Sequence, residues 1–175
     1  MERLEIATDS EGNKVVIIPD IIFSNKQNIE WKEVEAYLEK YIGEIVEITQ
    51  SSDIIYIGSS FPDEFAGSKY TRKTKGARAK AKANAAQGIR EMVEIASEKT
   101  FRENHKDKHN SDAANGWYYY TTRFALPIYD NDKKTGNYNI YSGCLVVNCA
   151  VSGKMYLYDL VDIKKEASNP LKTSE

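Results

Sequence analysis

Cysteine, histidine and long apolar runs are all scarce in this chain of 175 residues. The two cysteines, Cys144 and Cys149, stand five positions apart in one strand-like run. An extended strand holds such a pair about 17 Å apart on opposite faces, too far for a disulfide. That composition fits a reducing compartment. No apolar run approaches the roughly 20 residues that span a bilayer, so no membrane contact is expected. The start, MERLEIATDSEGNK, has neither a basic n-region nor an apolar h-region, so a cytoplasmic location is expected.

Several signatures are also missing. There is no Walker loop, GxGxxG, HExxH or GxSxG, which disfavours ATP, dinucleotide and metalloprotease chemistry. Two His and two Cys are the minimum set for zinc. His-x3-His on a helix suits a metal, but Cys-x4-Cys along one strand does not unless the strand bends before VSGK. No metal and no cofactor is therefore expected.

The most telling absence is local. Residues 65–90, FAGSKYTRKTKGARAKAKANAAQGIR, hold eight of the 24 Lys and Arg and none of the 26 Asp and Glu. The rest of the chain is correspondingly acidic. Segregated charge suits a polyanion-binding surface, since phosphate is attracted locally and repelled elsewhere. The plainer reading is a solvated, Ala-rich helix, although such helices usually interleave Glu with Lys for i,i+4 pairing. Six alanines and no proline between Thr74 and Gln87 make that stretch helical by propensity, with Gly88 as its bend or break. On that helix Lys75, Arg78 and Lys82 share one face, while Lys73 and Lys80 lie on another. Together with Arg72 these are the candidate RNA contacts, salt-sensitive and blind to sequence.

The remaining pattern predicts a single α+β domain over 15–165, with flexible tails at 1–14 and 166–175. Val15–Ile18 reads as a strand ended by Pro19, WKEVEAYLEKYI as a helix, and Ile45–Ile48 and Ile54–Ile57 as strands. A second helix begins at Ile89 and runs through Phe101 to about Asp112. WYYYTTRFALPIYD, YNIYSGCLVVNCA and KMYLYDLVDIKKE form a β-meander. Helices first and strands last predict N-terminal helices packed on a C-terminal antiparallel sheet.

Two further groups bear on chemistry. His105 and His109, spaced i,i+4 in FRENHKDKHNSD, suit proton transfer near neutral pH, or are simply solvated on a charged helix end. In WYYYTTRFAL, Tyr118, Tyr120, Phe124 and Leu126 alternate onto a core face. Trp117, Tyr119, Thr121 and Arg123 take the other. Rings there could stack on bases while Arg123 neutralises a phosphate, or Arg123 pairs with a carboxylate such as Asp159 or Asp162.

From about Ile17 to Leu171 the chain resembles domains of large polyvalent proteins of phages and conjugative elements. The resemblance rests on SDIIYIGSSFPDEFAGSKYT, KGARAKAKANAAQGI, FRENHKDKH, NGWYYYTTRFALPIYD and GKMYLYDLVDIKKEASNPL. These domains are similar to the nuclease fold of barnase, EndoU, colicin ribonucleases and RelE. The resemblance implies metal-independent endoribonuclease activity on structured RNA. His105 or His109 would transfer the proton and Arg123 would stabilise the phosphorane, with Thr121 and Tyr119 as supporting donors. Lys75, Arg78 and Lys82 would hold flanking phosphates. Asn148-Cys149 stands where a basic pair such as Arg-His is expected, so this chain could bind RNA without cutting it. A stand-alone version would suit counter-defence, as an anti-CRISPR acting on a guide RNA in a CRISPR effector complex. The alternative is a non-catalytic inhibitor that binds a host nucleoprotein or protein partner through the basic helix.

Overall fold

Hydrogen bonding between distant strands organises the molecule more than any helix does. The structure, a computed structural model, describes residues 3–24, 28–103, 115–166 and 171–173. The chain opens with the hairpin β1 (Ile6–Thr8) and β2 (Lys14–Ile17). Helix α1 (Trp31–Leu38) buries Val34 and Leu38 and tightens into a 3-10 turn at Glu39–Tyr41. A second hairpin, β3 (Ile45–Glu47) and β4 (Ile54–Tyr56), precedes α2 (Phe61–Gly67) and α3 (Lys69–Lys73). Then come α4 (Ala77–Ala85) and α5 (Ile89–Glu94), joined by a 3-10 turn at Ala86–Gly88. Strand β5 (Ser97–Arg102) leads to the long β6 (Trp117–Asp130), β7 (Lys133–Cys149) and β8 (Met155–Lys165), and β9 (Lys172–Thr173) closes.

The fold class is α+β, but the expected arrangement is corrected. The sheet is mixed and draws strands from both ends of the chain, in the order β3-β4-β8-β7-β6-β2-β1-β9. β2 runs parallel to β6, with Val16 opposite Phe124, and β4 runs parallel to β8, with Ile55 opposite Met155. The three long strands are antiparallel in chain order, yet they form the centre of this larger sheet and not a sheet of their own. β5 pairs with the first half of β6 and β2 with its second, so the sheet forks along that edge.

The ends of the chain also depart from expectation. Within 1–14, Ile6–Thr8 is a strand, the Leu4 N–H donates to Glu91 Oε2 at 3.1 Å and Arg3 pairs with Glu94 at 2.9 Å. At the other end β9 pairs with β1, and Leu171 packs on a small cluster of Val15, Ala125 and Ile140. The helix expected to reach Asp112 ends at Glu94, and Ser97–Arg102 is a strand instead. Pairing satisfies the β6 edge between Trp117 and Thr121, which an extension of the helix would have left to solvent, and this outweighs local propensity.

The main core lies between the helices and one face of the sheet. Phe61, Phe65, Leu38 and Met92 meet Phe124, Leu145, Leu157 and Leu160, all nearly inaccessible. Close approach is needed at Gly88, where an added Cβ would lie 2.9 Å from Ile18 Cδ1 and 3.1 Å from Val16 Cγ1. Strand β8 carries one extra residue relative to β7 between the pairs Val147–Leu157 and Val146–Asp159. That bulge breaks the inward-outward alternation, so Leu157, Asp159 and Leu160 are all buried.

Candidate functional sites: a basic groove and a polar cleft

The acid-free segment does not form one helix. α3 ends at Lys73, and α4 starts only after Gly76, whose φ of +65° and ψ of −136° stop helical hydrogen bonding. Thr74 and Lys75 therefore belong to the junction, and Lys75 shares no helical face with Arg78 and Lys82. This junction borders an open cavity of about 780 Å³ lined by Lys69, Tyr70, Lys73, Thr74, Lys75, Ala77 and Arg78. Among the described residues, no acidic side chain lines it. Lys69, Arg72, Lys73, Lys75, Arg78 and Lys80 are all exposed. None of these six has an ion-pair partner among the described residues.

Lys82 is the correction within that set. α4 sinks into the core along its length, and from Ala81 to Ala85 every residue is buried. Small alanines permit this close approach to β8. Lys82 is fully inaccessible, and its Nζ donates to Asp159 Oδ1 at 2.7 Å and to Thr71 Oγ1 at 2.5 Å. The same ammonium lies 4.6 Å from the Phe65 ring centroid and 5.1 Å from that of Tyr70. Burial pulls the Lys82 ammonium down and pushes Asp159 up, while their mutual attraction opposes both shifts. A side chain so enclosed cannot touch phosphate. It pins α4 to β8 and α3.

Along β6, Tyr120, Phe124 and Leu126 are buried and Trp117, Tyr119, Thr121 and Arg123 are partly exposed, as the alternation predicts, but Tyr118 at the start of the core face is only half-buried. Arg123 and Thr121 open into a cleft of about 410 Å³ at the fork between β2 and β5, with Lys14, Glu94, Ser97 and Glu98 among its lining residues. Glu98 there has a φ of +54°, at the irregular pairing between Ser97 and Thr100. Arg123 Nε donates to Glu166 Oε1 at 2.9 Å, so its carboxylate partner is neither Asp159 nor Asp162. Nearby Asp9 is pushed up by burial, yet hydrogen bonds from Asn13 and Glu11 together with the Arg123 charge outweigh this and leave it lowered.

Tyr119 does not line this cleft. The Arg102 guanidinium lies 4.8 Å from its ring centroid, and burial raises its phenol above the usual value. Burial also pushes the Cys144 thiol up to about 11, which removes it as a thiolate nucleophile at neutral pH. His105 and His109 lie outside the described residues. Asn148, one of the pair in place of an expected Arg-His, is buried, and its Oδ1 has no hydrogen-bond partner among the described residues.

The structure therefore gathers Lys73, Lys75 and Arg78 in one groove and Thr121 with Arg123 in another, and no described residue lines both. Lys69 and Tyr70 are groove residues that the periodicity argument passed over. Both lie in the acid-free segment, which was the available signal. No family model, curated protein or solved structure matches this chain.

Proposed function

We propose that the groove at the α3–α4 junction binds the phosphate backbone of RNA, and that the protein acts by occupying RNA and not by cutting it. The observation that carries this reading is the cluster of exposed cations around a cavity that has, among the described residues, no acidic lining residue and no ion-pair partner for those cations. Cations arranged this way release counterions on binding and position a strand without reading its bases. Arg123 supports occupation over cleavage, because Glu166 already neutralises the guanidinium that would have to face a phosphorane. If the resemblance to mobile-element proteins holds, the RNA would be a guide RNA within a host effector complex.

A cleavage reading draws on one feature, the cleft in which Thr121 and Arg123 open together beside the strained backbone of Glu98. The two readings separate in one experiment. Labelled RNA is titrated with wild type, with Lys73→Glu/Arg78→Glu and with Arg123→Ala, in EDTA, and product ends are mapped. Occupation predicts intact RNA, weakened binding only in the double variant, and a log–log salt slope shallower by about 2. A cyclic-phosphate end lost in Arg123→Ala would establish cleavage instead. Equal RNA binding by the double variant and wild type would remove the groove from either account.

A further inference from the structure

We infer that the groove takes a single-stranded segment of RNA and stacks one unpaired base on Tyr70, an inference that rests on the phosphate-binding reading above. Tyr70 lies within the basic lining, on α3 between Lys69 and Lys73. Its ring is fixed from behind. The hydroxyl accepts the Ile163 N–H at 2.9 Å, and the Lys82 ammonium sits 5.1 Å from the ring centroid. Because Lys82 is fully buried, that side of the ring faces the core, and the surface left to line the groove is the one turned away from it.

A rail of lysines alone would accept single and double strands alike, since both present phosphates. An immobilised aromatic among the cations changes the preference. It offers a π face at little entropic cost, because the ring is already held by its hydroxyl and by the core. A base can use that face only when it is splayed from its neighbours, as in a single strand, a loop or an end. In a duplex every base is already stacked inside the helix. Tyr70 should therefore discriminate by strandedness, and the cations around it should not.

The test measures binding of the full-length protein by fluorescence anisotropy. Its probes are a short single-stranded RNA, the same strand carrying abasic sites, its duplex, and a single-stranded DNA of the same sequence. The intact RNA strand should bind more tightly than the duplex, and the abasic strand should lose about 5- to 150-fold. Tyr70→Phe should keep this discrimination, since the ring remains, whereas Tyr70→Leu should abolish it. The abasic comparison needs no variant, so a poorly folded Tyr70→Leu protein leaves the conclusion intact. If the abasic strand and the duplex bind as well as the intact strand while Lys73→Glu weakens all of them, phosphate binding stands and the stacking inference fails. If Lys73→Glu weakens none of them, both fail. Equal affinity for the DNA strand would overturn RNA as the substrate class.

Discussion

Replacing Lys82 with Met is the most informative single change, because charge counting and structure make opposite forecasts for it. A surface lysine would cost almost nothing to stability and would weaken RNA binding. The buried Lys82 instead neutralises Asp159, a carboxylate only 2% exposed. Removing one member of a buried pair costs about 3–5 kcal/mol, because the other charge is stranded. Asp159 would keep the Leu160 N–H, which donates to Oδ1 at 2.8 Å, and its bond with Ser68. These place the loss near the lower end, about 3 kcal/mol. For a chain of this size that corresponds to a fall in Tm of about 6–12 °C.

The pH dependence follows from the same pair. Without Lys82, burial raises Asp159 against only the Ser68 and Leu160 hydrogen bonds, so the native state holds a proton that the unfolded state gives up. Stability of the variant then falls as pH rises from the ordinary aspartate range, about 3.9, towards the raised native value. The deficit relative to wild type should shrink at acidic pH. Urea unfolding at pH 5 and pH 8, followed by circular dichroism, measures this. The double change Lys82→Met/Asp159→Leu should recover most of the loss, since an apolar pair of similar volume often matches a buried ion pair. The folded single variant should keep the wild-type salt slope of RNA binding, since Lys82 is fully buried and touches no phosphate. The reasoning is refuted if Lys82→Met is as stable as wild type, or if the double variant is no better than the single one.

Two other sites offer independent checks. Asp53 is pushed up by burial, but hydrogen bonds from Lys99, Tyr120 and Ser51 outweigh this and hold it below the usual carboxylate value. Its contribution is thus present above about pH 3.9 and lost as pH falls through its lower native value. Tyr120→Phe removes the 2.7 Å bond to Asp53, so it should cost about 0.5–1.5 kcal/mol near neutral pH and flatten the acid limb of a stability–pH profile. Gly116 has a φ of +93°, and an added Cβ would meet Phe101 Cε1 at 2.6 Å and the Arg102 carbonyl oxygen at 2.8 Å. Gly116→Ala should therefore destabilise by at least about 1–3 kcal/mol in chemical denaturation, and an unchanged midpoint would contradict the close approach.

What could be read from the amino acids was local. The period-two alternation of WYYYTTRFAL placed Tyr120 and Phe124 inside and Arg123 outside, because a strand leaves no other choice. Local charge density located the groove. Lys82 was misread for a matching reason: its partner Asp159 is 77 positions away and becomes reachable only through the bulge in β8. Ile89, Met92, Val93 and Ala96 recur at helical spacing and are buried, but that periodicity could not reveal that β6 would claim the next residues as a strand. Likewise, nothing in Val15–Ile18 or Ile54–Ile57 names a parallel partner, so a mixed sheet looked like an antiparallel one.

The two parallel pairings also set a timetable for the chain during synthesis. β2 waits for β6 and β4 waits for β8, so each N-terminal hairpin leaves the ribosome with one edge open and only its own two strands for support. Isolated hairpins of that size are marginal in water. The helices that follow have no sheet to cover until the last third emerges. Folding should therefore come late and nearly all at once, with Val46 and Ile55, buried in the finished fold, uncovered meanwhile on a short strand pair open to wrong partners. A nascent chain halted before Trp117 should be protease-sensitive throughout, and release of the three long strands should protect both halves together.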